Sequence, residues 1–137
     1  MASYSTASTT RLAACHADVQ IVFNEVVKYF DNSILVGHRG KADQNAAFDS
    51  GHSKLNWPKS KHNSIPSEAV DAAPYPIDWG DRERMTYFAG YVIATADRLL
   101  AEGKITHRIR WGGDWDRDTE VKDNSFDDLV HFELRAV

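Results

Sequence analysis

The 137-residue chain predicts an α+β fold, two or three helices packed on a small, mainly antiparallel sheet. Three observations predict it. Two long segments carry apolar residues at three- and four-residue steps, the spacing of a helix with one buried face. Short alternating segments are mixed with them, the spacing of half-buried strands. The two strand-like segments that close the chain are near neighbours in sequence, which suits antiparallel pairing.

The first helix is expected from about Arg11 to Phe30, capped by Thr9 or Thr10, with Leu12, Cys15, Val19, Val22, Val26 and Phe30 on one stripe. Asp31-Asn32-Ser33 ends it, and Ile34-Leu35-Val36 is a short strand. Lys41 to Phe48 reads as weakly helical. Asp49 to Pro66 is rich in Gly, Ser, Asn, Lys and Pro and reads as a long exposed loop. Ser67 to Ala73 reads as a strand, stopped by Pro74 and Pro76. The second long helix runs from about Asp81 to Glu102, with Met85, Phe88, Val92, Ala96 and Leu99 on its apolar face and Gly103 past its end. Ile105 to Trp111 and Leu129 to Leu134 are the closing strands, separated by a polar, acidic loop over 112–127.

Composition narrows the function. With 16 basic and 20 acidic residues the formal net charge is −4, which argues against a nucleic-acid footprint of clustered Lys and Arg. No apolar run reaches the ~20 residues needed to cross a bilayer. The first residues lack the basic start and apolar stretch of a secretory signal, so export by that route is not expected. A single cysteine, Cys15, excludes an internal disulfide and is read as a buried, inert thiol in a cytoplasmic protein. There is no internal repeat or linker, and residues 1–137 read as one domain.

Two segments carry the chemistry, Ser60 to Asp71 and Asp127 to Leu134. A catalytic zinc ion takes about three protein ligands and keeps one position open. Asp71 stands among Ala69, Val70, Ala72 and Ala73, where a lone carboxylate is costly unless it is paired, hydrogen-bonded or on a metal. His131 stands among Leu129, Val130, Phe132 and Leu134, and on a strand it faces the same side as Glu133. Asp128, just before that strand, can turn toward the same site, where a general base must stand. Each residue also has a plain reading: His131 as a satisfied core histidine, Asp71 as a cap or salt-bridge partner, His62 as a solvent-exposed loop residue.

These segments resemble the signature of the zinc peptidases that include D-alanyl-D-alanine carboxypeptidases and dipeptidases and the phage L-alanyl-D-glutamate peptidases. The family's Ser-x-His reads Ser60-Lys61-His62 here. Its Ala-x-Asp reads Ala69-Val70-Asp71. Its acid three residues before a final His reads Asp128-Leu129-Val130-His131. Gly37-His38-Arg39 with Gln44, and Trp111 to Trp115, resemble further family segments, so the likeness runs from about residue 34 to residue 134. His62 and Asp71 are nine apart instead of the commoner seven, Ser67 replaces a usual Gly, and Val130 stands where many members have Pro.

The resemblance implies a hedgehog/D-Ala-D-Ala peptidase-like fold with Zn2+ on His62, Asp71 and His131. It implies Asp128 as general base, with Asp127 its competitor, and Arg39 as the group that meets the scissile carbonyl or a substrate carboxylate. Gln44 and Ser60 become substrate-binding candidates. His38, His52 and His107 do not fit the signature. The implied activity is that of an endolysin: hydrolysis of the L-alanyl-D-glutamate bond of peptidoglycan stem peptides. The implied setting is a monomer without a separate wall-binding domain, made in the host cytoplasm and without stable membrane association. It would reach the wall through a holin-like permeabilising partner. A D-alanyl-D-alanine dipeptidase or carboxypeptidase, or a non-catalytic zinc module like the hedgehog signalling domain, would show the same ligands. Separately, Asp114, Asp116, Asp118 and Glu120, followed by Asp123, have the alternate spacing that starts a calcium loop. Thr119 replaces its sharp-turn Gly and Ser125 its twelfth residue. The alternatives are a Ca2+ site and a solvated acidic loop.

Overall fold

A computed structural model describes residues 2–122 and 127–137. Helices and strands follow in the order α1 (Thr6–Ala13), α2 (Ala17–Val26), β1 (Asn32–Val36), α3 (Lys41–Asp49), β2 (Ala69–Pro74), α4 (Arg82–Ala101), β3 (Arg108–Gly112) and β4 (Asp128–Arg135), with a short 3-10 turn at Lys61–Asn63. The strands form one four-stranded sheet in the order β1-β2-β4-β3, and all its pairings are antiparallel. The expected α+β fold class is correct.

The first expected helix is two. Ser5, not Thr9 or Thr10, caps α1 by accepting the Ser8 N–H, and the helix ends at Ala13. The chain then leaves helical geometry for three residues to make tertiary bonds. The Ser67 N–H donates to Ala14 O, and the His16 N–H donates to Ser67 O. The His16 ring caps α2 by accepting the Asp18 N–H. The apolar stripe stays continuous because Leu12, Cys15, Val19, Val22 and Val26 all remain buried. Periodicity therefore read the buried face correctly and missed the break.

Helices α1, α2 and α4 cover one face of the sheet. Ile34, Val70, Ala72, Ile109, Trp111, Phe132 and Leu134 meet Phe23, Phe88 and Val92 there in a single apolar core. Phe132 sits edge-on to Phe23 at 5.6 Å and to Phe88 at 6.1 Å, an arrangement that aromatic quadrupoles favour. Cys15 is buried in this layer, and desolvation, aided by the charge of Asp71, pushes its thiol up to about 12, so it stays a thiol.

Strand alternation sends every second side chain to the opposite face. That face receives Asp71 of β2, His131 and Glu133 of β4, and Arg110 of β3. Asp71 pairs directly with His131, and Arg110 with Glu133. On a regular strand Asp128 and His131, three apart, would face opposite ways. The register of β3 against β4 shifts between Trp111 and Gly112, so Gly112 lies opposite Asp128. A Cβ on Gly112 would come within 2.2 Å of Asp128 O, so this close approach needs glycine.

Candidate functional site

The 49–66 segment, expected to be an exposed loop, contributes a buried wall. Ser60 opens the 3-10 turn with a capping box: its hydroxyl accepts the His62 N–H, and Asn63 Oδ1 accepts the Ser60 N–H. His62 is 1% exposed, so the solvent-exposed reading is wrong for it. The two residues between Ser64 and Ser67, where the spacing departs from the commoner pattern, lie in the turn that follows. Ser67 is fully buried, and its hydroxyl donates to Ala69 O at 2.7 Å.

His62, Asp71 and His131 are all buried, and one ligand atom from each lies within 4.8 Å of the others. The hydrogen bonds fix which atoms face inward. His62 Nδ1 donates to Gly37 O at 2.8 Å, leaving Nε2 at 3.0 Å from Asp71 Oδ1. His131 Nε2 bonds Glu133 Oε1 at 2.9 Å, leaving Nδ1 at 3.4 Å from the same Asp71 oxygen. Each imidazole thus turns its outer nitrogen to an oxygen acceptor and its inner lone pair toward a carboxylate. Lone pairs facing one another at this range need a cation between them, either a proton or a metal. A buried set of two imidazoles and one carboxylate, each imidazole oriented by an outer oxygen, fits a divalent metal of the zinc type. An open side remains, because His62 and His131 also line a cavity of about 320 Å³.

Charge in the site is tightly linked. Burial acts to raise the Asp71 carboxyl, but hydrogen bonds from His131 and His62 outweigh it and hold it well below the ordinary range. Burial acts to lower His131, but its bonds to Asp71 and Glu133 win and raise it from 6.5 to about 9. Burial also opposes charge on Glu133, and the bonds from His131 and Arg110 bring it down to about 2. Asp128 goes the other way: burial first, then the charge of Asp71, raise it to about 6.

A pH prediction follows from His131. A ligating imidazole must be neutral, whereas metal-free His131 holds its proton up to pH about 9. Zinc binding at pH 7.5 is expected to release about one proton, measured by titration calorimetry in buffers of different ionisation enthalpy. Zero release would overturn the assignment. Because the folded value lies above 6.5, the contribution of His131 to metal-free stability is complete below pH 6.5 and is lost as pH rises through 9. Metal-free melting temperature should therefore fall across that window, and the zinc-loaded protein should not follow it.

Sequence reasoning noted Glu133 beside His131 but gave it no role. Its carboxylate bonds His131 and also Arg110 at 2.8 Å, with Lys61 Nζ at 3.9 Å. Replacing Glu133 by Gln is expected to weaken metal affinity by about 10–100-fold without removing a ligand, as measured by competition with a chromophoric chelator. Affinity equal to wild type would remove Glu133 from the site.

The remaining sequence candidates fall as follows. Arg39 lines the cavity, with its guanidinium at 3.4 Å from Asp71 Oδ2 and 3.2 Å from Gln44 Oε1. Gln44 is fully buried: it receives Arg39 and Asn63 and donates to Ser53 Oγ and Leu55 O, so it positions Arg39 and cannot itself reach a substrate. Ser60 lines the cavity and caps the His62 turn. Asp128 lines the same cavity, while Asp127 pairs with Arg82 at 2.6 Å. Arg110 and Trp115, absent from the sequence candidates, also wall the cavity, with the Arg110 guanidinium 5.2 Å from the Trp115 ring centre. His107 bonds Asp18 at 2.7 Å, away from this site.

In the acidic loop, Asp114, Asp116 and Asp118 do cluster, and Glu120 stands outside the group. Their oxygens serve the loop's own backbone: Asp114 accepts the Asp118 and Thr119 N–H groups, and Asp118 accepts that of Glu120. Thr119 takes the positive φ, 70°, of a position that favours glycine. These turns account for the acidic residues, and nothing in them supports calcium. Asp123 and Ser125 lie outside the described residues.

Comparison with known proteins agrees with this geometry. Residues 1–135 match the family model described as phage L-alanyl-D-glutamate peptidase. The fold is similar to the crystal structure of the Serratia marcescens L-Ala D-Glu endopeptidase ChiX, with a TM-score of 0.67. That match has 24% identity and covers 97% of this chain and 90% of the other. No curated protein matches the sequence.

Proposed function

Since the chain belongs to the phage L-alanyl-D-glutamate peptidase family, we propose that it is a zinc-dependent endopeptidase that hydrolyses the L-alanyl-D-glutamate bond of peptidoglycan stem peptides during host lysis. The observation that carries this reading is the buried His62, Asp71 and His131 cluster, with Asp128 and Arg39 beside it on the wall of one cavity.

His62 Nε2, Asp71 Oδ1 and His131 Nδ1 are the atoms that would hold the ion. When bound there, zinc would supply Lewis acidity beside the scissile carbonyl. Asp128, on the cavity wall, would accept a proton from the attacking water and return it to the leaving amine nitrogen. In the metal-free protein burial and the charge of Asp71 raise the Asp128 carboxyl to about 6, which makes it a stronger base than an ordinary aspartate. Arg39, aimed by Gln44 and Asp71, meets the oxygen on which negative charge builds. Ser60 and Asn63 keep the His62 turn in place.

No helix among the described residues is long and apolar enough to cross a membrane. A monomer made in the host cytoplasm, which gains the wall through a holin-like permeabilising protein, completes the reading.

The test is digestion of purified peptidoglycan with and without a zinc chelator, read by mass spectrometry. New amino-terminal D-glutamate that disappears with chelator is expected. Release of D-alanine alone would give the dipeptidase or carboxypeptidase activity instead. An intact wall with zinc confirmed on the protein would defeat the endopeptidase reading.

A further inference from the structure

Two cavities flank the metal-ligating cluster, and they differ in character. One, of about 320 Å³, is walled by Lys54, Lys59, Lys61 and Arg110. The other, of about 650 Å³, is walled mainly by Leu35, Val36, Ala46, Ala47, Trp79 and Val130, with Ser50, His52 and Asp71 also on its lining. Arg39 and Asp128 line both, so the cavities meet at the groups assigned to the chemistry. Resting on the endopeptidase reading, we propose that they read opposite halves of the scissile peptide. The lysine-walled cavity receives the carboxylate-bearing half that leaves as the amine, and the apolar cavity receives the acyl half.

The charge balance points this way. The smaller cavity brings together five Lys and Arg side chains, Arg39 included, against the carboxylates of Asp128 and Glu133. With Arg110 paired to Glu133 and Arg39 to Asp71, the charges of Lys54, Lys59 and Lys61 outnumber that of Asp128. This positive surplus sits on a chain whose formal net charge is −4, so it is a local feature and not the background of the molecule. In the larger cavity Trp79 is 64% exposed, an aromatic ring with an open face beside small aliphatic side chains.

Substrate chemistry has the same polarity. On the amine side of an L-alanyl-D-glutamate bond, the glutamate carries a free α-carboxylate and continues through its γ-carbonyl to a third residue, which bears a carboxylate where it is a diamino diacid or ends the chain. On the acyl side stand a methyl group and an uncharged lactyl ether. The reverse orientation would strand carboxylates against Leu35, Val36 and Val130 and set the methyl among lysines, losing charge pairing and apolar burial together.

The test uses the full chain loaded with zinc and two synthetic peptides, N-acetyl-L-alanyl-γ-D-glutamyl-L-lysine ending in a free carboxylate or in a carboxamide. The free acid is expected to be preferred by about fivefold in kcat/KM, the size that two partly exposed charge pairs provide. The preference should reside in KM and shrink at high salt. In Lys54→Gln/Lys59→Gln the ratio between the peptides should approach one. In Lys28→Gln/Lys104→Gln, which removes two lysines paired with Glu25 and Glu102 elsewhere on the surface, it should persist. Equal use of both peptides by the wild type, or a ratio unmoved in Lys54→Gln/Lys59→Gln, would overturn the proposal. Binding of the same peptides to zinc-loaded Asp128→Asn, measured by calorimetry, reads the preference without turnover. Failure to cleave therefore strikes the endopeptidase reading, whereas loss of the preference in binding strikes this one.

Discussion

Replacing Asp128 by Ala is expected to lower hydrolysis by about two or more orders of magnitude while zinc stays bound, because a positioned general base contributes about that much. Asp128 is not among the residues that cluster as ligands, so its loss leaves the donor set whole. Its carboxyl is the one acidic group of the site held near neutrality, by burial and by the charge of Asp71, while Asp71 and Glu133 are held low. Metal content by atomic absorption and digestion of purified wall measure the two halves of the expectation. Unchanged activity would show that the base lies elsewhere. Asp127→Ala is the matched control: its carboxylate is paired with Arg82, and its loss should cost little.

Replacing His131 by Ala is expected to abolish stoichiometric zinc binding. Hydrolysis should fall by about a thousandfold or more, since the several kcal/mol of charge stabilisation that a catalytic metal supplies correspond to that factor. The substitution also deprives Asp71 of one of the bonds that keep it ionised in a buried position, leaving His62 and Arg39. The fold should survive, because the core face of β4 is carried by Phe132 and Leu134. A cooperative thermal melt checks that. A folded variant that retained one zinc per chain would remove His131 from the ligand set.

Much of this site is legible in the order of residues. Asp71 and His131 are conspicuous because each is a polar group in an apolar strand, and burial of such groups demands a partner. Two-residue alternation assigns His131 and Glu133 to one face of their strand and Phe132 and Leu134 to the other, while the pairing of β2 with β4 brings Asp71 to the first. His62 is different. A histidine in a run of Lys, Ser, Asn and Pro looks solvated, and its burial depends on Gly37 O, 25 residues earlier in the chain. Gln44 became a substrate-side candidate through the family resemblance, and its partners Arg39, Ser53, Leu55 and Asn63 converge only when the chain is folded.

By itself, then, the order of residues determined the fold class, the buried stripes, the donor types and the acid three residues before the last histidine. The fold class and the stripes are local properties of periodicity, while the full ligand set with His62 rests on the resemblance of Ser60 to Asp71 and Asp128 to His131 to a family signature. Only the tertiary structure decided where the first helix breaks, since Ser67 draws Ala14 and His16 into backbone bonds that outcompete one more helical turn. It alone turned Asp128 toward His131, through a register shift that Gly112 permits. It alone set lysines on one side of the cluster and aliphatic side chains on the other. The physical reason is common to all three: each rests on contacts between segments far apart in the chain, and a local pattern carries no information about which distant groups will satisfy its hydrogen bonds.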